Sequence, residues 1–236
     1  MNMKTQLSII IPCKNEEAYI GKLLTALTHQ ELESSTEIII ADANSNDSTR
    51  GIINQYKEKL PNLQVVEGGL PAVGRNIGAR IAKGDILLFI DADCYFKDNK
   101  IIKSSVNLLL KSKLDLIGCL LNIESNFKVR FVYFLCNLIF RLSRYDKPFV
   151  VGSYLMIKKE TFFKNGGFDE SLMHCEDYFL SKKVESKKFN LINKYVYTDD
   201  RRFKKMTTLG IIRYFIKNII FRNNENYFKK DIGYWK

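Results

Sequence analysis

The stretch DILLFIDAD, residues 85–93, decides the fold because a continuous apolar run ends in two aspartates. Such a run predicts a strand that is buried on both faces, as in a parallel sheet. In an open α/β sheet, ligands bind beyond the carboxyl ends of the strands. Asp91 and Asp93 therefore stand where a ligand is expected, and in an extended chain both carboxylates would point the same way.

The chain before this stretch repeats the same unit. Strands at 7–11 and 37–41 each end in a polar loop and lead into a helix, and a third strand at 63–66 leads into a helix at 71–83. Alternating strands and helices predict a parallel sheet with right-handed crossovers. The second half is less regular, and we expect the following elements there: helices at 99–111, 127–144, 159–165 and 174–188, and strands at 114–123, 150–158 and 195–197.

The composition limits the class of protein. Of the 236 residues, 37 are Lys or Arg and 26 are Asp or Glu, which gives a net charge of +11. Most of the excess lies in residues 201–236, a basic segment that would attract anionic lipid, anionic substrate or nucleic acid, or would simply form a solvated face. Five scattered cysteines without a Cys-x-x-Cys argue against a disulfide framework or a thiolate zinc site. The apolar run at 7–11 is too short for a signal-peptide core, so we expect a cytoplasmic protein.

Two aspartates at a strand end also suggest a metal. Their hard oxygen ligands suit Mg²⁺ or Mn²⁺, which usually take further ligands from substrate phosphates. The alternative is an ordinary turn or capping pair, because Asp-x-Asp is common.

Six short motifs, in this order and spacing, resemble those of family 2 glycosyltransferases with the GT-A fold. They are IIPCKNEE at 10–17, DANSNDST at 42–49, GRNIGAR at 74–80, FIDAD at 89–93, GFDE at 167–170 and ED at 176–177. The resemblance implies an α/β, Rossmann-like, mostly parallel sheet with flanking helices. It divides the chain into a nucleotide-sugar-binding half at 1–97, an acceptor half at 98–200 and a basic amphipathic helical extension at 201–236.

The resemblance implies a nucleotide diphosphate sugar as donor and assigns residues to it. The base and ribose would contact Pro12, Asn15, Glu17 and Asp42, and the diphosphate would pass near Arg75 and Asn76. Asp93 would bind Mn²⁺ or Mg²⁺, while Asp91 would serve the ribose or a metal-bound water. Taken singly, the same residues have simpler explanations: helix caps for Asn15 and Glu17, a turn for Asp42 and a surface charge for Arg75.

On the acceptor side, the resemblance makes Asp177 the general base, with Glu176 and Asp169 near the acceptor. We expect Asp177 to be ionised, because a helix dipole stabilises a carboxylate at its N-terminus. The same position also suits an ordinary capping residue. His174, which precedes this pair, is expected to be a residue at the start of the helix rather than a metal ligand.

The chain lacks the Gln-x-x-Arg-Trp motif and the membrane spans of processive members, so we expect inverting transfer of a single hexosyl group to an acceptor hydroxyl. Arg201 and Arg202 resemble an Arg-Arg-aromatic segment of short members and would hold the diphosphate, unless they form a plain basic turn. Residues 212–220 predict a basic amphipathic helix that either lies on anionic lipid at the inner face of the membrane, near a lipid-linked acceptor, or packs on the body.

Three other classes fit less well. A nucleotidyltransferase usually needs a glycine-rich basic loop after the first strand, and here that loop is acidic. A nucleic-acid-binding protein must explain carboxylates that would repel phosphate, and no RNA-recognition signature is present, so no nucleic acid is expected as a partner. A dinucleotide-binding oxidoreductase is disfavoured because no Gly-x-Gly-x-x-Gly follows a strand.

Overall fold

A computed structural model of the chain describes residues 6–199, 201 and 208–230, with side chains within 208–220 described at 210, 213, 214, 216–218 and 220. Arg202 lies outside the described residues. The strands are β1 Leu7–Cys13, β2 Glu37–Asp42, β3 Leu63–Glu67, β4 Ile86–Phe89, β5 Cys94–Tyr95, β6 Leu116–Ile123, β7 Leu155–Lys158 and β8 Phe189–Thr198. The α-helices are α1 Ile20–Thr28, α2 Thr49–Asn54, α3 Pro71–Ile81, α4 Ile101–Lys111, α5 Phe127–Ser143, α6 Lys159–Lys164, α7 Glu176–Ser181, α8 Thr208–Ile220 and α9 Glu225–Phe228.

All eight described strands form one sheet in the order β3-β2-β1-β4-β7-β6-β8-β5. The first four strands are parallel, as the alternation of strands and helices predicts. β7 is antiparallel to both of its neighbours, β8 is parallel to β6, and β5 closes the edge antiparallel to β8. The expected α/β architecture is therefore confirmed, and the carboxyl ends of β1, β2 and β4 lie side by side.

The sheet is covered on both faces. Alternate residues of β1 enter different core clusters: Ile9 and Ile11 pack with the leucines of α1, and Ile10 packs on the side of α3. Helix α3 sits very close to the strand at Gly78, where an added Cβ would lie 2.5 Å from Ile10 Cγ2. Close packing of this kind fixes α3 against β1, and the helix carries two of the predicted donor residues, Arg75 and Asn76.

Two helices are several residues shorter than the sequence predicts. The apolar spacing of Ile52, Ile53, Tyr56 and Leu60 predicts a helix as far as residue 60, but α2 ends at Asn54 and turns carry the chain on to Leu60. Helix α7 covers only six residues of the predicted 174–188. Cys175 precedes it in the left-handed region with a φ of 61°. At its other end the Ser181 hydroxyl donates to the Tyr178 carbonyl, the kind of local side-chain bond that competes with helix continuation.

Three strands also differ from expectation. β7 begins at Leu155 rather than at 150, so residues 150–154 are free to form a turn beside the site. β8 runs from Phe189 rather than from 195, with an irregularity in its pairing to β6 after Ile192. The short strand Cys94–Tyr95 was not predicted, and it pairs with the last residues of β8.

The basic extension is partly packed on the body. Phe228 of α9 is buried with Leu172 and Phe179. Its carbonyl accepts a hydrogen bond of 2.8 Å from the Met173 amide. Within the described ranges, every helix is too short or too polar to cross a membrane.

Candidate active site

The loops that follow β1 and β2 bind each other through side chains that the resemblance assigns to the donor. Asn15, in the left-handed region with a φ of 52°, accepts from the Asn46 amide through Oδ1 at 2.9 Å. Glu17 Oε2 accepts from the Ser48 amide at 2.8 Å. Both side chains thus join the two loops, and the helix cap of the simpler explanation is not formed, because α1 has no side-chain capping bond. Pro12 is buried at the end of β1, where it pairs with Ala41 of β2.

Asp42 lies at the end of β2 with its carboxylate fully buried. Oδ1 accepts from the Ser45 hydroxyl and Oδ2 from Arg50 Nε, both at 2.5 Å. The Arg50 side chain is 52% exposed. The buried carboxylate is thus held between one fixed local donor and one cation that reaches in from solvent.

Among the residues that the structure describes, Arg75 is the largest fully buried side chain, and the simpler expectation of a surface charge is wrong. Its Nη2 binds Asp91 Oδ1 at 2.5 Å, and its Nη1 binds Glu176. Burial opposes the positive charge, but Asp91 and Glu176 outweigh it and raise the pKa of Arg75 further. The guanidinium also lies against Gly152, where an added Cβ would come within 2.4 Å of Nη2. Arg75 therefore joins the donor half to the acceptor half.

Asn76, next to Arg75, is directed at the acceptor half rather than at an open pocket. Its Nδ2 donates to the Phe168 carbonyl and to Glu170 Oε1, both at 2.8 Å, and its Oδ1 accepts from the Phe168 amide at 3.0 Å. Asn76 therefore anchors residues 168–170 to α3.

The chain is not extended through Asp91 and Asp93, so the condition under which both carboxylates would point the same way is not met. The backbone turns at 92–93, and the Cys94 amide donates to the Asp91 carbonyl at 3.1 Å. As a result the two carboxylates bind different arginines. Asp91 binds Arg75, while Asp93 Oδ2 lies 2.9 Å from Nη2 of Arg201.

Arg201 also binds Glu16, a residue that the sequence analysis passed over in favour of Glu17. The guanidinium donates to both Glu16 oxygens, at 2.8 and 2.9 Å. Burial raises the pKa of Glu16, and the Arg201 guanidinium opposes that rise. The adjacent pair Glu16-Glu17 is the signal in the sequence, and the structure shows that Glu16 binds Arg201 while Glu17 binds the Ser48 amide.

The arrangement brings five carboxyl groups together with two guanidinium groups: Glu16, Asp91, Asp93, Glu176 and Asp177 with Arg75 and Arg201. Within residues 6–199, 201 and 208–230, no three acidic, histidine or cysteine side chains form a complete metal cage. Mg²⁺ is commonly bound by one or two carboxylates together with substrate phosphates rather than by such a cage. Asp93 and Glu16, which share Arg201, are hard oxygen ligands that would suit a divalent ion taking its other ligands from a diphosphate.

Asp177 opens α7 and is held from two sides. Oδ2 accepts from the Gly152 amide and Oδ1 from the Tyr178 amide, both at 2.7 Å. Burial and the neighbouring Glu176 nevertheless raise the pKa of Asp177 to about 7. Burial and Glu176 thus oppose the ionised form that the first turn of a helix favours, and Asp177 exchanges its proton near neutral pH.

The other acceptor-side residues lie differently from one another. Glu176 is buried in its ion pair with Arg75, so its carboxylate faces the donor half. Asp169 is exposed, and its Oδ1 accepts from the amide and the hydroxyl of Ser171, which lowers the pKa of Asp169. Asp169 thus caps a turn. His174 is buried among Tyr214, Tyr227 and Phe228, before the helix rather than in it.

Residues 8–167 match the family model of Glycosyl transferase family 2, which covers more than half of the chain. The chain belongs to glycosyltransferase family 2. An uncharacterized glycosyltransferase of Haemophilus influenzae is 32% identical to this family 2 chain over 204 residues, 78% of this chain and 63% of that protein. Poly(ribitol-phosphate) beta-glucosyltransferase of Bacillus spizizenii is 38% identical over 103 residues, 42% of this chain and 16% of that protein.

Solved structures show the same GT-A fold. Staphylococcus aureus TarS 1–349 in complex with UDP-GlcNAc superposes with a TM-score of 0.66 at 21% identity, over 82% of this family 2 chain and 58% of that one. Mannosyltransferase PcManGT from Pyrobaculum calidifontis, in complex with GDP-Man and Mn²⁺, also gives 0.66, at 20% identity, over 83% and 57%. The chain spans less than two thirds of the length of each of these four proteins.

Proposed function

We propose that the chain transfers a single sugar from a nucleoside diphosphate sugar to an acceptor hydroxyl, with inversion at the anomeric carbon and with help from Mn²⁺ or Mg²⁺. The observation that carries this proposal is a pair of ion-pair clusters beyond the carboxyl ends of the parallel strands: Arg201 binds Glu16 and Asp93, and Arg75 binds Asp91 and Glu176. The second cluster joins the two halves of the domain, and its Arg75 lies near enough to Asp177, the candidate base, for their charges to interact.

On the donor side, the nucleotide base would bind at the edge formed by the loops after β1 and β2. Asp42 would accept a hydrogen bond from the nucleotide base once the half-exposed Arg50 side chain moves away from Asp42. Pro12, Asn15 and Glu17 would shape the walls of this pocket. The structural relatives carry UDP-GlcNAc in one case and GDP-Man in another, which supports a nucleoside diphosphate sugar without selecting the base.

The leaving nucleoside diphosphate gains negative charge as the bond between the anomeric carbon and its phosphate oxygen breaks. A divalent ion bound to the diphosphate would offset that charge. Asp93 would bind the ion, and the nearby Asp91 would remain in its ion pair with Arg75. Arg201 would change partner from Asp93 to the diphosphate. The Mn²⁺ in the mannosyltransferase complex supports this assignment.

On the acceptor side, Asp177 would take the proton of the attacking hydroxyl. A general base works best when its pKa lies near the working pH, and burial has raised the pKa of Asp177 into that range. The Gly152 amide fixes the orientation of the carboxylate. Direct attack by the hydroxyl opposite the leaving group inverts the anomeric centre.

The acceptor is proposed to be a sugar or polyol hydroxyl, free or linked to lipid, at the inner face of the membrane. The match to poly(ribitol-phosphate) beta-glucosyltransferase supports an acceptor of this chemistry.

The proposal is tested by following nucleoside diphosphate release from UDP- and GDP-sugars in the presence of Mn²⁺ and a panel of hydroxyl acceptors. Asp177→Asn should lower turnover by roughly 100- to 10,000-fold while keeping donor binding. Asp85→Asn, which alters an exposed aspartate just before β4, at the opposite edge of the sheet, is the matched control and should retain turnover. Near-normal turnover of Asp177→Asn would exclude Asp177 as the base.

A further inference from the structure

Helix α5 has an apolar face that points away from the core. The residues of this face are 38–79% exposed and recur at helical spacing: Phe127, Phe131, Phe134, Leu135, Leu138, Ile139 and Leu142. Three of the phenylalanine rings stack along the helix, with centroid separations of 6.4 and 6.3 Å. A contiguous exposed patch of this kind is unusual on a monomer and marks an interaction site.

The exposure of this face follows from how α5 is attached. Its opposite side is buried in a small core with Val132, Cys136 and Phe140 at its centre. The Asn137 side chain also binds the backbone of Leu121 in β6, donating to its carbonyl at 2.8 Å and accepting from its amide at 2.9 Å. The helix is therefore fixed to the sheet, and its aromatic face has no position in which to turn inward.

The positive charges on and beside the helix indicate an anionic partner. Lys128, Arg130, Arg141 and Arg144 are all exposed, and residues 127–145 contain no Asp or Glu. On the helical wheel Arg130 and Arg141 lie beside one edge of the apolar face and Lys128 lies at its other edge, while Arg144 follows the end of the helix. Cations beside an apolar face are typical of a helix that lies in the headgroup region of a bilayer. A second copy of this chain fits poorly, because it would bring four like charges against four.

We infer that α5 docks this domain on a membrane surface that contains anionic phospholipid, with the aromatic face in the acyl boundary and the cations on the headgroups. At about 25 Å in length the helix lies along the surface. The docking is distinct from the contact predicted for the basic extension, in which α8 exposes Ile216 and Ile220.

Docking through α5 places the active site next to the membrane. The Tyr133 hydroxyl shares a 2.6 Å hydrogen bond with Thr198 Oγ1, and Asp199 and Arg201 follow Thr198 into the site. At the other end of the helix, Phe149 contacts both Phe140 and Tyr178, the residue after Asp177, with ring centroids 5.1 Å apart in each case. This step rests on the proposed function, and it favours a lipid-linked acceptor over a free one.

The test is co-sedimentation of the full chain with vesicles of phosphatidylcholine, with and without phosphatidylglycerol. Phe131→Ser combined with Leu138→Ser should weaken partitioning onto the anionic vesicles by at least about 10-fold, because two apolar side chains leave the bilayer. Phe163→Ser combined with Leu110→Ser is the matched control, since these residues are 45% and 43% exposed on other helices, against 50% and 45% for the test pair. The control should bind as the wild type does.

Removal of charge tests the headgroup contact separately. Lys128→Gln and Arg130→Gln should each weaken binding to the anionic vesicles by about 5-fold and leave binding to pure phosphatidylcholine unchanged. The inference is overturned if the wild type does not sediment with anionic vesicles, or if the Phe131 and Leu138 variant binds normally. A dimer in sedimentation velocity that this variant dissociates would also overturn it, in favour of a second copy. Each outcome is independent of whether a sugar donor is found.

Discussion

Replacing Arg75 with methionine removes the cation from a buried site while keeping an unbranched side chain of similar length. The Glu176 side chain is only 5% exposed and would lose its ion-pair partner. The Asp91 side chain is 18% exposed and would lose one of its hydrogen-bond partners. Breaking a buried pair from one side typically costs about 3–5 kcal/mol. We expect Arg75→Met to lower the free energy of unfolding by about that amount at pH 8, with Glu176 responsible for most of it.

The loss of unfolding free energy in Arg75→Met should become smaller as the pH falls. Without the guanidinium, which holds the pKa of Asp177 down, that pKa rises above the value of about 7 to which burial and Glu176 already raise it. A carboxyl group whose pKa is higher in the folded state than in the unfolded one favours folding at low pH and loses that effect as the pH rises through the folded pKa. Urea unfolding followed by circular dichroism at about pH 8 and about pH 5 measures the difference.

Arg80→Met is the control, because Arg80 lies on the same helix and pairs with Glu170 at 3.1 Å while both side chains are largely exposed. Its cost should stay within about 1 kcal/mol at both pH values. If Arg75→Met costs no more than Arg80→Met, or if its cost is the same at both pH values, the argument that Arg75 balances buried carboxylates is refuted.

Three further predictions concern catalysis, metal binding and packing. Turnover should rise with pH through about 7, because Asp177 must lose its proton to act as a base, and the pH profile of Asp177→Asn should lack that rise. Asp93→Asn should abolish the Mn²⁺-dependent part of the thermal shift produced by a nucleoside diphosphate, and an unchanged shift would contradict the metal assignment. Gly78→Ala should destabilise by about 1–3 kcal/mol, because its Cβ would overlap Ile10. Gly51→Ala, with open space around the added Cβ, should stabilise by up to about 1 kcal/mol, and chemical denaturation of both variants checks the contrast.

The donor half could be predicted because its signals are local. A buried run such as 86–90 needs no partner to be recognised as a strand, and the polar residues at the strand ends must meet once the strands are parallel. The second half was harder. α7 is short because Cys175 adopts a positive φ and Ser181 bonds back to Tyr178, and neither choice is visible in the pattern of apolar residues.

The burial of Arg75 could have been predicted in part. It follows Ala72 by three residues and precedes Ala79 by four, and both alanines face the core, so the helical period places Arg75 on the buried side. Its partner could not be found this way. Glu176 lies 101 residues further along the chain, and only the completed sheet brings the two together.

The pairing of Arg201 with Glu16 has a consequence for the order in which the domain is built. The two residues are 185 positions apart. Because a nascent chain leaves the ribosome N-terminus first, Glu16 and Asp93 emerge long before the arginine that neutralises them. Until residue 201 is synthesised, this edge of the sheet carries acidic groups without their cation, and it attracts free divalent ions more strongly than the same edge of the complete chain does. A fragment truncated before Arg201 should keep that stronger attraction permanently.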